Sequence, residues 1–205
     1  LSKFLICFRY IFMNFFLEFL AVIFGFLSVW FAKENNILVY PTGILSTSIF
    51  VYLLVISELY GDASINGYFF VMSFYGWYFW TRKKSGEIIN QIGRISLSEK
   101  IVSVFLFSLA IIVIFSIYYF FDKWTTISAY LDTLTTGIFF VAMWLMSRRK
   151  IEHWTFWIIG DVLSVPLYIY KGLFLTAIQY FVFTIIAIMG YREWKKIIQK
   201  NQEIV

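Results

Sequence analysis

Six residues between Glu152 and Gly172 have the types and the spacing to do chemistry together. Trp154, Trp157, Asp161, Ser164, Tyr168 and Lys171 follow one another at steps of 3, 4, 3, 4 and 3. A helix turns once in about 3.6 residues, so these steps predict one helical face bearing two indoles, a carboxylate, a hydroxyl, a phenol and an ammonium. The other faces are Ile, Leu, Val and Phe, which suit lipid or neighbouring helices. Asp161 lies near the middle of a segment long enough to cross a bilayer. A carboxylate there is costly unless it faces protein or a water-filled cavity. The chemistry is that of a lined binding cavity, because the stripe contains no nucleophile–base pair. The competing reading is a polar stripe that only hydrogen-bonds neighbouring helices.

A second stripe runs through Asp62, Asn66, Ser73, Trp77 and Trp80, at steps of 4, 7, 4 and 3. Asn66 offers a donor and an acceptor, as an amide or a ribose hydroxyl requires. Trp77 and Trp80 precede the basic run Thr81-Arg82-Lys83-Lys84, so an interfacial aromatic belt is the alternative for them. A third, sparser set is Thr176, Gln179, Tyr180, Gly190 and Trp194, of which Gln179 and Tyr180 are the polar contacts. Glu18 and Asp132 read as acids at helix starts, with no base visibly paired to either.

The elements that must hold these residues follow from composition. The chain is 61% hydrophobic, 23% aromatic and 14% charged, whereas a soluble domain is about 45–50% apolar and about 25% charged. A polytopic membrane protein is expected. One cysteine, Cys7, excludes an internal disulfide and a cysteine cluster, and one histidine, His153, excludes a multi-histidine metal site. The sequence holds no GxxxxGK[ST] phosphate loop. No cofactor is expected, and the net charge of +5 reads as cationic loops rather than a nucleic-acid surface.

Seven transmembrane helices are predicted, at 13–32, 37–57, 63–81, 100–121, 126–147, 151–170 and 173–194, each near the roughly 20 residues that a bilayer needs. Residues 1–12 read as an interfacial lead-in, and 81–100 is the one clear polar linker. Placing that linker in the cytoplasm puts 13 of the 17 lysines and arginines inside, which predicts the N-terminus out and the C-terminus in.

Shifting the chain by 114 superposes Phe16-Leu17-Glu18 on Tyr130-Leu131-Asp132, Trp30 on Trp144, Tyr40 on Trp154, Gly76 on Gly190 and Trp80 on Trp194. The expected fold is therefore all-α, with a 3+1+3 layout of parallel repeats, which is a transporter architecture. The expected division is 13–81 for the first repeat, 82–125 for the linker and connector helix, 126–196 for the second repeat and 197–205 for the tail. The second span has largely lost the stripe: Tyr40, Gly43, Thr47, Phe50, Leu54 and Ser57 stand at its equivalent positions. The site is expected to be weighted toward the sixth helix, where Pro166 removes a backbone donor.

The runs ELYGDASINGYFFVMSFYGWYFW (58–80) and EHWTFWIIGDVLSVPLYIYKGLFLTAIQY (152–180) resemble the signatures of the PnuC family of nicotinamide riboside transporters. The resemblance extends over nearly the whole chain and departs where His153 stands in place of an expected Asn. It implies a bacterial cytoplasmic-membrane uptake protein, a homotrimer resembling a doubled SWEET transporter. It also implies facilitated diffusion, with substrate retained by a cytoplasmic kinase. Members also carry thiamine and related vitamins, so another vitamin is the alternative cargo. Under this resemblance Trp154, Trp157, Trp77, Tyr168 and Tyr180 would line the site or cage a cationic ring. Asn66 and Gln179 would read carboxamide or ribose, and Asp161 would bond the ribose or balance the ring's charge. An intramembrane enzyme is disfavoured, since neither a metal cluster nor a nucleophile–base pair is present.

Overall fold

The structure, a computed structural model, describes residues 2–57, 60–84, 86–120 and 127–203. Among them are seven helices: α1 (Ser2–Lys33), α2 (Val39–Ile56), α3 (Tyr60–Thr81), α4 (Leu97–Phe120), α5 (Ile127–Ser147), α6 (Glu152–Tyr170) and α7 (Phe174–Glu203). The polar linker adds a small antiparallel hairpin, β1 (Lys83–Lys84) paired with β2 (Glu87–Ile88). Lys123 and Ser85 lie outside the described residues, as does the side chain of Asp62.

Helix existence follows the sequence expectation, while several ends differ for local reasons. α1 reaches back into the expected lead-in as far as Ser2, and α7 runs on into the expected tail as far as Glu203. Neither stretch contains a Gly or Pro to stop a helix. α4 begins at Leu97 rather than 100 because Ser96 and Glu99 form a capping box. Ser96 Oγ accepts the Glu99 amide at 3.3 Å and Glu99 Oε2 accepts the Ser96 amide at 2.9 Å. Pro41 falls in the first turn of α2, where its missing N–H would have no helical partner. α6 continues through Pro166.

Five helices, α1, α2, α4, α5 and α7, contain stretches long and apolar enough to cross a membrane. Seven such spans were expected. α3 and α6 are 22 and 19 residues long, so length is not what separates them. They are the two stripe-bearing helices, and Asp, Asn, Glu, His and Ser dilute their hydropathy.

The chain divides into two compact units, residues 1–32 with 36–78 and residues 33–35 with 79–205. In the first, Ser28 Oγ donates to the Val39 carbonyl and Ser46 Oγ to that of Ala21, each at 2.8 Å, which ties α1 to α2. The Tyr40 ring fills the space beside Gly76, joining α2 to α3. In the second unit α4 packs on α5, α5 on α6 and α6 on α7. There the Trp154 ring fills the space beside Gly190.

Local details recur at the 114-residue offset. Asn36 N donates to Phe31 O at 2.9 Å, as Lys150 N does to Leu145 O at 3.0 Å. Ser57 N donates to Leu53 O at 3.1 Å, as Lys171 N does to Leu167 O at 3.0 Å. The two described non-glycine residues with positive φ are Asn35 at 53° and Arg149 at 60°, each just past the end of an odd-numbered helix. The tyrosine–glycine contact of the first unit and the tryptophan–glycine contact of the second are separated by the same interval.

Candidate functional site

The second unit gathers part of the α6 stripe into a column of rings. Trp157 on α6 lies 5.4 Å, centre to centre, from Phe139 on α5. Phe139 stacks on Tyr180 of α7 at 6.0 Å, and Tyr180 stacks on Tyr168 of α6 at 5.1 Å. Contacts of this spacing stabilise by roughly 0.5–1.5 kcal/mol each beyond their buried area. Phe139 approaches closely because Gly160 opposite it has no side chain; a Cβ there would overlap the ring.

Asp161 sits one turn beyond Trp157 and is 3% exposed. Among the described residues no hydrogen bond or ion pair engages its carboxylate. Ser164, a further turn along, is 1% exposed, and its hydroxyl likewise has no partner among the described residues. Buried polar groups are normally satisfied, so two adjacent exceptions beside an aromatic column mark a place where a polar ligand would complete the bonding.

A Schellman turn ends α6. Leu173 N donates to Tyr168 O at 2.8 Å and Gly172 N to Ile169 O at 2.9 Å, with Gly172 at φ 74°. The Tyr-Lys-Gly run encodes this stop, and it leaves Lys171 at the mouth of the column. Lys171 Nζ pairs with Asp132 at 2.6 Å and lies 5.2 Å from the Tyr168 ring centre. Asp132 thus has a base, contrary to the reading of an acid serving only a helix start. The separation of 39 positions along the chain hid the pair.

Trp154 stands apart from the column. It is 1% exposed and packs edge-on against Trp194 at 5.9 Å, with His153 at 4.3 Å and Gly190 beneath. His153, the departure from the expected run, lies between the two indoles, and neither of its ring nitrogens has a partner among the described residues. Trp80 joins the same cluster, 5.7 Å from Trp194, and its Nε1 donates to Met146 O at 3.2 Å. At 2% exposure it is a packing residue and not a belt anchor.

Asn66 and Trp77 lie on α3 in the first unit, the former part-buried and the latter exposed. Gln179 is part-buried on α7, turned about 100° around the helix from Tyr180. Sequence reasoning missed Phe139, because an apolar ring in an apolar segment carries no polar group to draw attention. One signal was present: at the 114 offset the Gly25–Ser46 contact becomes Phe139–Gly160, large and small exchanged.

The chain matches the family described as nicotinamide mononucleotide transporter over residues 15–196. It is 24% identical over 201 residues to the nicotinamide riboside transporter PnuC of Escherichia coli, covering 87% of this chain and 84% of that protein. It is 22% identical over 179 residues to the riboflavin/roseoflavin transporter RibM of Streptomyces davaonensis, covering 84% and 81% respectively. A crystal structure of the vitamin B3 transporter PnuC shares its fold, with a TM-score of 0.68 at 22% identity over 90% of this chain and 83% of that one. The family match reaches into every one of the seven helices, and the chain belongs to the nicotinamide mononucleotide transporter family.

Proposed function

We propose that this chain carries nicotinamide riboside across the bacterial cytoplasmic membrane by facilitated diffusion. The observation that carries the reading is the column Trp157–Phe139–Tyr180–Tyr168 with the buried Asp161, which has no partner among the described residues, one turn from its end. Stacked rings suit a flat pyridinium, and a buried carboxylate suits a ribose diol or a positive ring. The relative named for nicotinamide riboside supports the same cargo. The family description names the mononucleotide instead. Lys171 is the cation that the described contacts place at the column, and Asp132 already holds it, so the riboside suits the site better than its phosphate ester.

Asn66, Trp77 and Gln179 are proposed as further cargo contacts, and Trp154 as the enclosed packing support of the α6 stripe. All seven helices span the bilayer in this reading, in the 3+1+3 layout of parallel repeats that resembles a doubled SWEET transporter. The two repeats in this reading are 13–81 and 126–196, with the linker and connector between them. The matched hydrogen bonds, positive-φ residues and aromatic–glycine contacts at the 114 interval support that layout. The N-terminus faces out and the C-terminus in, the assembly is a homotrimer, and a cytoplasmic kinase traps the substrate.

The second reading is another vitamin, favoured by the flavin-named relative. Purified protein is titrated with nicotinamide riboside, its mononucleotide, thiamine and riboflavin, using tryptophan fluorescence or calorimetry. Preferential binding of the riboside, with liposome flux that follows its gradient alone, is the expected result. Tighter binding of another vitamin would replace the cargo, and uptake that requires a sodium or proton gradient would overturn the passive mechanism.

A further inference from the structure

At the α6–α7 end of the column, Lys171 Nζ donates to both Asp132 oxygens, at 2.7 and 2.6 Å, and lies 5.2 Å from the centre of the Tyr168 ring. The Schellman turn holds Lys171 at this point, and Tyr168 is the terminal rung of the rings leading to Trp157. The side chains are 27% and 22% exposed, so the pair is open to the medium without being fully solvated. A cation beside a tyrosine ring with a carboxylate next to it is also the setting that a pyridinium or quaternary ammonium would choose.

We infer that Lys171 is a tethered surrogate for cationic cargo, and that Asp132, Tyr168 and Lys171 form an entry subsite that selects for positive charge. The inference rests on the column being the cargo path. Partly exposed ion pairs are weak and screened by salt, so the pair is poised to exchange. A displaced lysine regains hydration on its flexible stem, while a planar cation gains a stacking surface that a point-charge ammonium uses less well. A neutral solute brings no charge to replace the ammonium at Asp132 and leaves the pair closed.

The test compares nicotinamide riboside, its uncharged reduced form, and the ribose-free cation 1-methylnicotinamide, by calorimetry on folded protein. Lys171→Met leaves Asp132 uncompensated and should tighten both cations by about threefold to tenfold; Asp132→Asn leaves Lys171 uncompensated and should weaken them by a similar factor. The double variant has neither ammonium nor carboxylate and should lose the wild-type preference for the cations over the neutral form, whereas Lys171→Arg should track the wild type. The neutral form should scarcely move throughout. A purely structural pair predicts lower melting temperatures with cation and neutral form shifting alike, which would overturn the subsite. Riboside binding equally well to every variant would also overturn it, while sparing the cargo reading. If the riboside does not bind but 1-methylnicotinamide follows the predicted order, the cargo reading falls and the subsite stands.

Discussion

Arg149 and Asn35, the two described non-glycine residues in left-handed backbone conformation, are 114 positions apart and hydrogen-bond to each other. Arg149 Nη2 and Nε donate to Asn35 Oδ1 at 2.8 and 3.2 Å, and Nη1 donates to Asn90 O at 2.8 Å. The guanidinium also lies 4.6 Å from the centre of the Trp80 ring. Glycine is the usual residue at such a helix end, and a side chain there costs roughly 1 kcal/mol. Against that cost, the arginine's fork joins three chain segments.

Arg149→Ala should destabilise the protein by about 2–4 kcal/mol, since it removes charge-assisted bonds and a cation–π contact while keeping the strained backbone. Arg149→Lys should recover only part of that, because a lysine cannot present the fork. Fluorescence-detected melting in detergent measures both. An alanine variant as stable as the wild type would show that the hub contributes nothing.

Two glycines separate packing from binding. In Gly190→Ala the new Cβ would meet the Trp154 ring, and in Gly160→Ala it would meet Phe139. Overpacking of this kind costs about 1–3 kcal/mol. The first should lower melting temperature with little effect on affinity. The second should displace a rung of the column and weaken ligand binding. Equal effects of both variants on affinity would mean that the Trp154 cluster and the column act as one site.

Trp157→Ala and Phe139→Ala should each weaken riboside binding by about 1–3 kcal/mol, roughly tenfold to a hundredfold. Asp161→Asn keeps the size and removes the charge. It should weaken the cationic riboside more than the neutral reduced form if the carboxylate balances the ring, and both alike if it holds only the ribose. Normal affinity in all three variants, at full protein integrity, would remove α6 from the site.

For topology, single cysteines at Lys84 and Leu173 in a Cys7-free background test the charge bias; Lys84 and Leu173 are both exposed. An impermeant thiol reagent applied to intact cells should label Leu173→Cys and spare Lys84→Cys. The reverse pattern would invert the molecule.

How the chain is read depends on the range of the interactions involved. Seven helical segments, the capping sequence Ser96–Glu99 and the Tyr-Lys-Gly stop are local, because backbone hydrogen bonds and side-chain periodicity act within a few residues. The stripe on α6 was legible for the same reason, and so was the 114-residue recurrence, since tryptophans and glycines that pack together recur together. Which stripe residues share a cavity was not legible. Trp154 and Trp157 are three positions apart, yet one faces Gly190 and Trp194 while the other faces Phe139. The partners of a helical face come from other helices, and nothing within the helix names them. Lys171 and Asp132, or Arg149 and Asn35, meet only once the chain has folded back across tens of residues. Spacing along α6 determined that a polar face exists; packing against α5 and α7 decided that Phe139 and Tyr180 complete it, that Trp154 is enclosed, and that Asp161 is buried with no partner among the described residues.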